Sequence, residues 1–330
     1  MEKIAFILND HYIYWNSIFV LLGAGVSVCV FLWLYPRCRE DLLPGFAAVP
    51  LTAIISLLLG RFIHWYCCED QYNGFFAAMT NLSDGGFALL GAFGGCLAAA
   101  LVTRVFRFHR NTLGMLDAMA PALCAGIAVG RLACFFTGAD RGPMLESFQS
   151  LPWAWPTVNA VSGETEYRLA TFFLQSVTAA ALAIALIIFY LASRRKKDGD
   201  TALLFLLCYG ASQCLLDSTR YDALYFRSNG FVSVTQVFSA VGMVLAAVVF
   251  SVRLVKTKGF RPGYPALWVG MAAALGLAGY MEYYVQRHGN QALMAYSVMG
   301  AALAVLVALT ILVHALPSRK VQNDEKVNPV

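Results

Sequence analysis

The most regular feature of the chain is a series of long apolar runs that repeats from one end to the other. A helix needs about 20 predominantly apolar residues to cross the hydrocarbon core of a bilayer, and each run is of that order. The pattern predicts nine transmembrane helices, over residues 17–35, 44–65, 85–104, 116–136, 169–192, 201–217, 232–252, 264–285 and 291–315. The predicted fold class is therefore an all-α polytopic membrane protein.

Composition supports the same class. The chain has 330 residues, of which 59% are hydrophobic and 13% are charged. A soluble domain carries about twice that charged fraction, so a soluble protein is excluded. The net charge of +5 does not indicate a nucleic-acid partner, because the basic residues lie in short loops between the predicted spans.

The loops alternate in their content of lysine and arginine. The basic loops contain Arg37 and Arg39, Arg104 to Arg110, residues 194–197, residues 253–261, and Arg319 with Lys320. The loops at 67–76, 137–168 and 286–290 carry fewer basic residues. Because cytoplasmic loops are enriched in lysine and arginine, the N-terminus is predicted outside and the C-terminus inside. All nine spans fit this alternation.

Cysteine spacing gives no sign of a metal site. The nine cysteines are scattered, and Cys67 and Cys68 are the one close pair. Spacings typical of zinc or iron–sulfur ligands are lacking. The sequence therefore predicts no metal and no cofactor.

The most unusual polar residue is Arg131, in the stretch GRLACFFTGADRG at 130–142. It falls in the outer third of the fourth predicted span, where an arginine costs several kcal/mol unless a polar or anionic group compensates it. A guanidinium at headgroup depth can bind a phosphate through two parallel hydrogen bonds. Arg131 is therefore a candidate phosphate ligand.

Other polar residues lie at the same predicted depth. Arg61 and His64 are three residues apart and share one face of the second span. Asp217 ends the sixth span, and Arg220 follows it. Less specific roles remain open, because arginines near a span end can reach the interface and Asp217 can pair with one of them. Glycines 85, 86, 91, 94 and 95 of the third span favour close helix packing over ligand binding.

Five stretches together resemble the prolipoprotein diacylglyceryl transferase family. They are DGGFALLGAFGG at 84–95, GRLACFFTGADRG at 130–142, LPWAW at 151–155, YGASQCLLDSTRYD at 209–222 and VSVTQVFS at 232–239. The resemblance covers about residues 10–255 in the same order. It implies a seven-span core at 1–255 with the N-terminus outside. The last two predicted spans follow the basic break KTKGFRPGYP at 256–265, so residues 256–316 are expected to form an appended transmembrane hairpin, and the polar residues 317–330 a cytoplasmic tail.

The resemblance also implies an activity. The family transfers the diacylglyceryl group of phosphatidylglycerol to the lipobox cysteine of a prolipoprotein, at the outer leaflet of the bacterial plasma membrane. The implied partners are phosphatidylglycerol or another anionic lipid, and the prolipoprotein signal peptide. By position, Arg131 and Asp217 are expected to be catalytic, and Asp217 stands where the family has glutamate. The expected substrate-binding residues are Arg131, Arg220, Gly142, Gln213, Arg61 and His64.

The sequence departs from the family pattern at four motif positions. Leu90 replaces a histidine, Cys134 an asparagine, Ala139 a glutamate and Gln213 an arginine. Two further hypotheses therefore stand beside the transferase: a paralogue that binds anionic lipid or a lipoprotein segment without orthodox transfer, and a transporter for an anionic solute. The predicted spans show no inverted repeat and no paired broken helices, which argues against the transporter.

The loop charges generate a prediction about topology. A reporter that is active in the cytoplasm is expected to be active when fused after Arg110 or Lys197, and silent when fused within 140–165. Fusions at matched expression levels provide the measurement. The opposite pattern would reverse the orientation and place every polar residue named above at the other leaflet.

Overall fold

A computed structural model describes most of the chain, in ten segments. These are residues 4–8, 11–38, 42–81, 85–108, 111–145, 153–158, 163–193, 197–227, 229–288 and 291–327. Several residues named above lie outside the described residues, namely Arg39, Asp84, Arg110, 151–152 of LPWAW and 194–196.

Helices dominate the described residues, as the apolar runs predict. They are α1 (Trp15–Leu34), α2 (Leu42–Cys67), α3 (Phe75–Thr80), α4 (Leu90–Val105), α5 (Thr112–Gly130), α6 (Thr171–Ala192), α7 (Asp200–Ser218), α8 (Val234–Lys258), α9 (Tyr264–Arg287) and α10 (Ala292–Val327). Eight of the described helices are long and apolar enough to cross a membrane, and α4 is a shorter apolar helix. The all-α, polytopic membrane class is confirmed, whereas the inside–outside orientation stays a prediction.

The third predicted span is wrong at its start. Residues 85–104 were expected to form one helix, but α4 begins at Leu90. Gly85 and Gly86 adopt left-handed φ angles of 69° and 75°, which a helix does not allow. The backbone instead turns towards α2, where the Ala88 N–H donates to the Gly60 carbonyl at 3.0 Å. The 16 residues of α4 therefore extend over about 24 Å, less than the thickness of the hydrocarbon core.

The described residues also form three short antiparallel hairpins, which the apolar pattern did not predict: one precedes α1 and two lie between helices. They pair β1 (Ile4–Leu8) with β2 (His11–Tyr14), β3 (Ala154–Val158) with β4 (Thr165–Leu169), and β5 (Tyr225–Phe226) with β6 (Asn229–Ser233). The strands β2, β4 and β6 each lead almost directly into a long helix, respectively α1, α6 and α8. The hairpins therefore fix how three of the helices begin.

The helices divide into two compact units. The first comprises Met1–Phe205 with Thr219–Thr235, and the second comprises Leu206–Ser218 with Gln236–Val330. These units do not follow the predicted boundary between residues 255 and 256. That boundary stays a prediction about where the family-like core ends.

Small residues bring the helices of the first unit together. Helix α4 packs on α2, and α1 packs on α5. A Cβ at Gly95 would overlap Ser56 Oγ on α2 and lie 2.8 Å from the Ser56 backbone nitrogen. A Cβ at Gly23 on α1 would lie 2.6 Å from the Gly126 carbonyl oxygen of α5. Close backbone approach at small residues is the usual way in which helices associate in membranes.

A buried carboxylate anchors the start of α7. Asp117 of α5 is 1% exposed, and its two oxygens accept hydrogen bonds from the backbone nitrogens of Gly199 and Ala202, each at 2.8 Å. These N–H groups belong to the first turn of a helix, which has no intrahelical acceptors for them. Asp117 therefore caps α7 from a neighbouring helix.

In the second unit, the antiparallel helices α9 and α10 pack on each other, and α7 packs on α8 through small residues. A Cβ at Gly210 on α7 would lie 2.9 Å from the Ser239 carbonyl oxygen on α8. Helix α10 continues to Val327, beyond the predicted end of the ninth span at residue 315.

Close packing at Gly95 generates a stability prediction. Gly95→Ala is expected to lower the free energy of unfolding by about 1–3 kcal/mol, because its methyl group overlaps Ser56. Gly25→Ala is the matched control, since no atom lies within 4 Å of a Cβ at Gly25. Thermal unfolding of the two variants in detergent provides the comparison. Equal stability of the two variants would contradict the packing described for α2 and α4.

Candidate functional site

Arg131 lies at the end of a helix rather than within one. Helix α5 ends at Gly130, and Arg131 begins a single 3₁₀ turn that runs Arg131–Phe135. This turn is part of the apolar segment Thr112–Phe135, which is long enough to cross a membrane, so Arg131 lies four residues before the end of that segment. The Arg131 side chain is 14% exposed, so it is largely but not completely removed from solvent.

The partner of Arg131 is the carboxylate of Asp140. Arg131 Nη1 forms an ion pair with Asp140 Oδ2, and Arg220 Nη2 forms an ion pair with Asp140 Oδ1. The Arg220 and Asp140 side chains are 12% and 9% exposed. One carboxylate thus joins Arg131, the candidate phosphate ligand, to Arg220, an expected substrate-binding residue.

A second aspartate completes the arrangement. Asp222 Oδ2 accepts a hydrogen bond from the Asp140 backbone nitrogen at 2.8 Å, and Asp222 Oδ1 pairs with Arg220 Nε at 3.2 Å. We call Arg131, Asp140, Arg220 and Asp222 the arginine–aspartate cluster. Its two guanidiniums and two carboxylates have formal charges that cancel.

The turn that carries Asp140 explains how its carboxylate reaches both arginines. Asp140 adopts a left-handed backbone with a φ of 57°, a conformation that aspartate tolerates better than most residues. Its carbonyl oxygen accepts a hydrogen bond from the Phe172 backbone nitrogen at 3.0 Å, at the start of α6. The backbone of Asp140 is therefore fixed by Asp222 and by α6 together.

A thiol lies next to the cluster. Cys134 Sγ donates a hydrogen bond to Asp140 Oδ2 at 3.3 Å. The resemblance places the family asparagine at this position, and a thiol donates a weaker hydrogen bond than an amide. Asp140 thus contacts two cations and one thiol.

Arg141 and Gly142 directly follow Asp140 and position the backbone next to the arginine–aspartate cluster. Arg141 Nη2 donates to the Thr137 carbonyl at 2.9 Å, and Arg141 Nη1 donates to the Pro156 carbonyl at 3.2 Å. Burial is the main cause that lowers the pKa of Arg141, but arginine remains protonated in proteins. A Cβ at Gly142 would lie 2.8 Å from Thr171 Oγ1 and 2.9 Å from Leu169 Cβ. Because Gly142 has no side chain, its backbone can lie close to Leu169 and to Thr171 at the start of α6. The substrate-binding role of Gly142 stays a prediction.

Arg61 and His64 belong to a different polar cluster of the first unit. Arg61 is 1% exposed, and its guanidinium donates to five oxygens. These are the carbonyls of Ala78, Asn81, Gly85 and Gly86 and the hydroxyl of Tyr72. The Tyr72 hydroxyl also bonds His64 Nδ1 at 3.0 Å. Because carbonyls occupy most of its N–H donors, Arg61 holds the segment before α4 in place, and its substrate contact stays a prediction.

Gln213 and Asp217 lie on α7 in the second unit, where they are 1% and 2% exposed. Leu90 is the first residue of α4 in the first unit and is partly buried. The structure brings Arg131 and Arg220 together. Arg61 and His64 form their own cluster.

Asp140 and Asp222 were not among the predicted site residues. Both aspartates were visible in the quoted motifs, in GADRG and RYD. The resemblance directed attention to Ala139, where the family has glutamate, although an acidic residue stands one position later. An acidic residue next to a motif position was the signal that could have identified Asp140.

The fold and the cluster define a multi-pass membrane protein with paired guanidiniums suited to an oxyanion. The model of the family described as prolipoprotein diacylglyceryl transferase matches residues 3–252, and the chain belongs to this family. The resemblance drawn from the motifs is thereby confirmed, and the family is one of transferases.

Several curated relatives are named phosphatidylglycerol–prolipoprotein diacylglyceryl transferase. The protein of Lactococcus lactis subsp. cremoris (strain MG1363) is 27% identical over 269 residues, which cover 78% of this chain and 96% of the relative. The protein of Streptococcus suis (strain 05ZYH33) is 28% identical over 270 residues, covering 80% and 96%. The protein of Clostridium botulinum (strain Langeland) is 25% identical over 252 residues, covering 74% and 94%. The relatives are thus covered almost completely, whereas about a fifth or more of this chain lies outside each match.

Proposed function

We propose that this protein transfers the diacylglyceryl group of phosphatidylglycerol to the lipobox cysteine thiol of a prolipoprotein. The proposed location is the outer leaflet of a bacterial plasma membrane. Membership of the family and the names of the relatives support the reaction. The observation that carries the proposal is the convergence of Arg131 and Arg220 on one carboxylate.

The reaction requires stabilisation of a leaving phosphate. The thiol sulfur forms a bond to the terminal glycerol carbon of the diacylglyceryl group, and the bond from that carbon to the phosphate oxygen breaks. Glycerol phosphate leaves with the bonding electrons, so its phosphate gains negative charge. Cations placed where charge develops stabilise such a transition state, and two guanidiniums can bind several phosphate oxygens. We assign this role to Arg131 and Arg220.

Asp140 occupies the position that suits a phosphate. Its two oxygens accept from the two arginines, much as two phosphate oxygens would. A lipid phosphate therefore competes with Asp140 for the guanidiniums. When the arginines turn to the phosphate, the released carboxylate is a proton acceptor beside the reacting groups.

The thiol proton has two proposed acceptors. Asp140 contacts a thiol already, through Cys134 Sγ at 3.3 Å, so a carboxylate–thiol contact fits this site. Asp217 keeps the carboxylate of the family position and stays the second proposed acceptor. A positioned general base typically contributes about 10²- to 10⁴-fold to a rate. Comparison of Asp140→Asn with Asp217→Asn identifies the acceptor.

A groove for an acyl chain starts near the cluster. Trp15 and Phe19 of α1 stack on Phe136, with ring centroids 5.8 and 5.6 Å apart, and Phe136 directly follows the turn that begins at Arg131. A shallow apolar groove of about 530 Å³ runs along α1 from Ile18 to Val30. A lipid whose acyl chain lies in this groove has its headgroup at the end of α1 that contacts Phe136.

The departures from the family pattern reduce the expected rate. Gln213 is neutral where the family has an arginine, so it cannot offset the charge of the departing phosphate. Leu90 provides no imidazole at the family histidine position. The alternative of lipid binding without transfer is therefore a possible outcome of the assay.

A complementation assay tests the proposal. In cells depleted of their own transferase, the unaltered chain is expected to give weak formation of diacylglyceryl-modified lipoprotein. Arg131→Ala is expected to lower that yield by about 10²-fold or more, and Gln213→Arg to raise it. The matched control is Arg227→Ala, which removes an arginine from an exposed pair with Glu69.

Two outcomes contradict the proposal. Strong rescue that is insensitive to Arg131→Ala would exclude the assigned role of Arg131. A complete lack of modified lipoprotein, from a chain that is expressed, folded and retains anionic lipid, would instead support binding without transfer.

A further inference from the structure

The β1–β2 hairpin exposes apolar side chains on both of its faces. Phe6 pairs with Ile13 across the two strands, and Ile7 pairs with Tyr12. Cross-strand partners share a face of a sheet and successive residues alternate between faces, so the two pairs lie on opposite faces. Phe6 is 50% exposed, and Ile7 and Tyr12 are 60% and 58% exposed. The described part of the chain therefore leaves apolar surface uncovered on each face.

The composition of this hairpin does not suit bulk water. Its described strands read IAFIL and HYIY, without a lysine, arginine, aspartate or glutamate. A two-stranded hairpin is at best marginally stable in water, and contiguous exposed apolar side chains mark a surface that another phase or molecule covers. The hairpin therefore requires an apolar partner from outside the described chain.

The open edges of the hairpin do not suit the hydrocarbon core of a membrane either. Each strand of a two-stranded sheet pairs on one side only, so its outward N–H and C=O groups need other partners. Among the described residues, no other segment forms a hydrogen bond with the outer edge of β1. Open sheet edges do not occur in hydrocarbon, because nothing there satisfies them. The interfacial layer of a membrane provides both apolar contact and hydrogen-bond partners.

The hairpin lies next to a membrane boundary. The first apolar segment that is long enough to cross a membrane begins at Trp15, directly after β2 ends at Tyr14. A strand rises about 3.3 Å per residue, so the backbone of His11 lies within about 13 Å of Trp15. Tyr12, Tyr14 and Trp15 provide the aromatic side chains that are enriched at headgroup level. Position and composition thus favour the same partner, which is a lipid surface.

We propose that the β1–β2 hairpin lies within the interfacial layer of the leaflet that adjoins the start of α1, and that lipid covers both of its faces. Its apolar side chains contact the upper part of the acyl chains, and the outward backbone groups of its strands bond headgroups and water. The anchored hairpin keeps Trp15, and the Phe136 ring that stacks on it at 5.8 Å, at headgroup level. This anchoring does not depend on the proposed transfer reaction.

Photochemical crosslinking identifies what covers the hairpin. The photoreactive amino acid p-benzoylphenylalanine, which inserts into nearby C–H bonds, replaces Phe6 or Ile7, one position for each face. The full-length protein is placed in vesicles of phosphatidylethanolamine and phosphatidylglycerol, illuminated and analysed by mass spectrometry. Leu21, an exposed residue of the membrane-spanning α1, is the reference for lipid contact. Val158 is the matched control, since it is equally exposed on the β3–β4 hairpin, whose strand β4 carries two charged side chains.

Lipid adducts are expected at Phe6 and at Ile7 in amounts within about twofold of those at Leu21, and about tenfold fewer at Val158. Fragmentation of the adducts is expected to place the insertion in the glycerol and upper acyl region. Adducts between the hairpin positions and a second copy of the chain, or no adducts there while Leu21 is labelled, would overturn the proposal. Insertion confined to the ends of the acyl chains would also overturn it, because the hairpin would then lie in hydrocarbon.

An extended peptide is the competing occupant, since such a segment can pair with an open strand edge. The crosslinking is therefore repeated in vesicles that also contain a synthetic prolipoprotein signal peptide. The lipid adducts at Phe6 and Ile7 are expected to remain unchanged. Transfer of the crosslinks from lipid to peptide would assign the hairpin to peptide binding and overturn the proposal.

A double variant tests the apolar side chains themselves. Tyr12→Glu combined with Ile13→Glu places one carboxylate on each face. With the photoreactive residue at Phe6 or Ile7, the lipid adducts are expected to fall by about tenfold, because two apolar contacts with lipid are lost. Val158→Glu is expected to leave them unchanged, and thermal unfolding establishes that both variants fold. Undiminished lipid adducts in the folded double variant would overturn the proposal. If the double variant does not fold, the crosslinking at Phe6 and Ile7 decides.

Discussion

One carboxylate shared by two arginines holds the site of this protein together. Asp140 pairs with Arg131, which follows α5, and with Arg220, which follows α7. Each guanidinium is largely shielded from water, where an unpaired charge would be expensive. A single side chain therefore joins the turn after α5 to Arg220 within the first unit, and at the same time neutralises the two cations to which we assign phosphate binding.

The sharing of Asp140 by two arginines links lipid binding to the proposed transfer reaction. Because the charges of the arginine–aspartate cluster cancel, the proposed anionic lipid gains little from long-range attraction, and in our proposal it displaces Asp140. That proposed displacement costs affinity but releases a carboxylate beside the reacting groups. Arg61 is also a buried arginine, but backbone carbonyl oxygens rather than a carboxylate accept hydrogen bonds from its guanidinium. Its role is therefore structural.

The sequence was sufficient for those parts of the fold that depend on local composition. Long apolar runs predict spanning helices because a bilayer requires about 20 apolar residues whatever the neighbours are. The start of α4 could not be predicted in this way. It depends on the carbonyls of Gly85 and Gly86, which turn away from a helix to satisfy Arg61, a residue that is distant in sequence.

Site residues that lie at a family motif position could be predicted from the sequence. Site residues whose role depends on tertiary contacts could not. Arg131 and Arg220 were identified by position, and the structure joins them. Asp140 was missed because its role requires a left-handed turn and a contact from Asp222, 82 positions away. Both are products of the folded chain, and neither is encoded in the spacing of a motif.

The central claim, that Asp140 occupies the place of the lipid phosphate, is tested most directly by retention of phosphatidylglycerol. Purified wild-type protein, Arg131→Ala and Asp140→Asn are compared by native mass spectrometry in the same anionic membrane. Arg131→Ala is expected to retain about tenfold less lipid, because a charge-assisted contact is lost, and Asp140→Asn to retain more, because its competitor is gone. Less retention in folded Asp140→Asn than in the wild type would contradict the account.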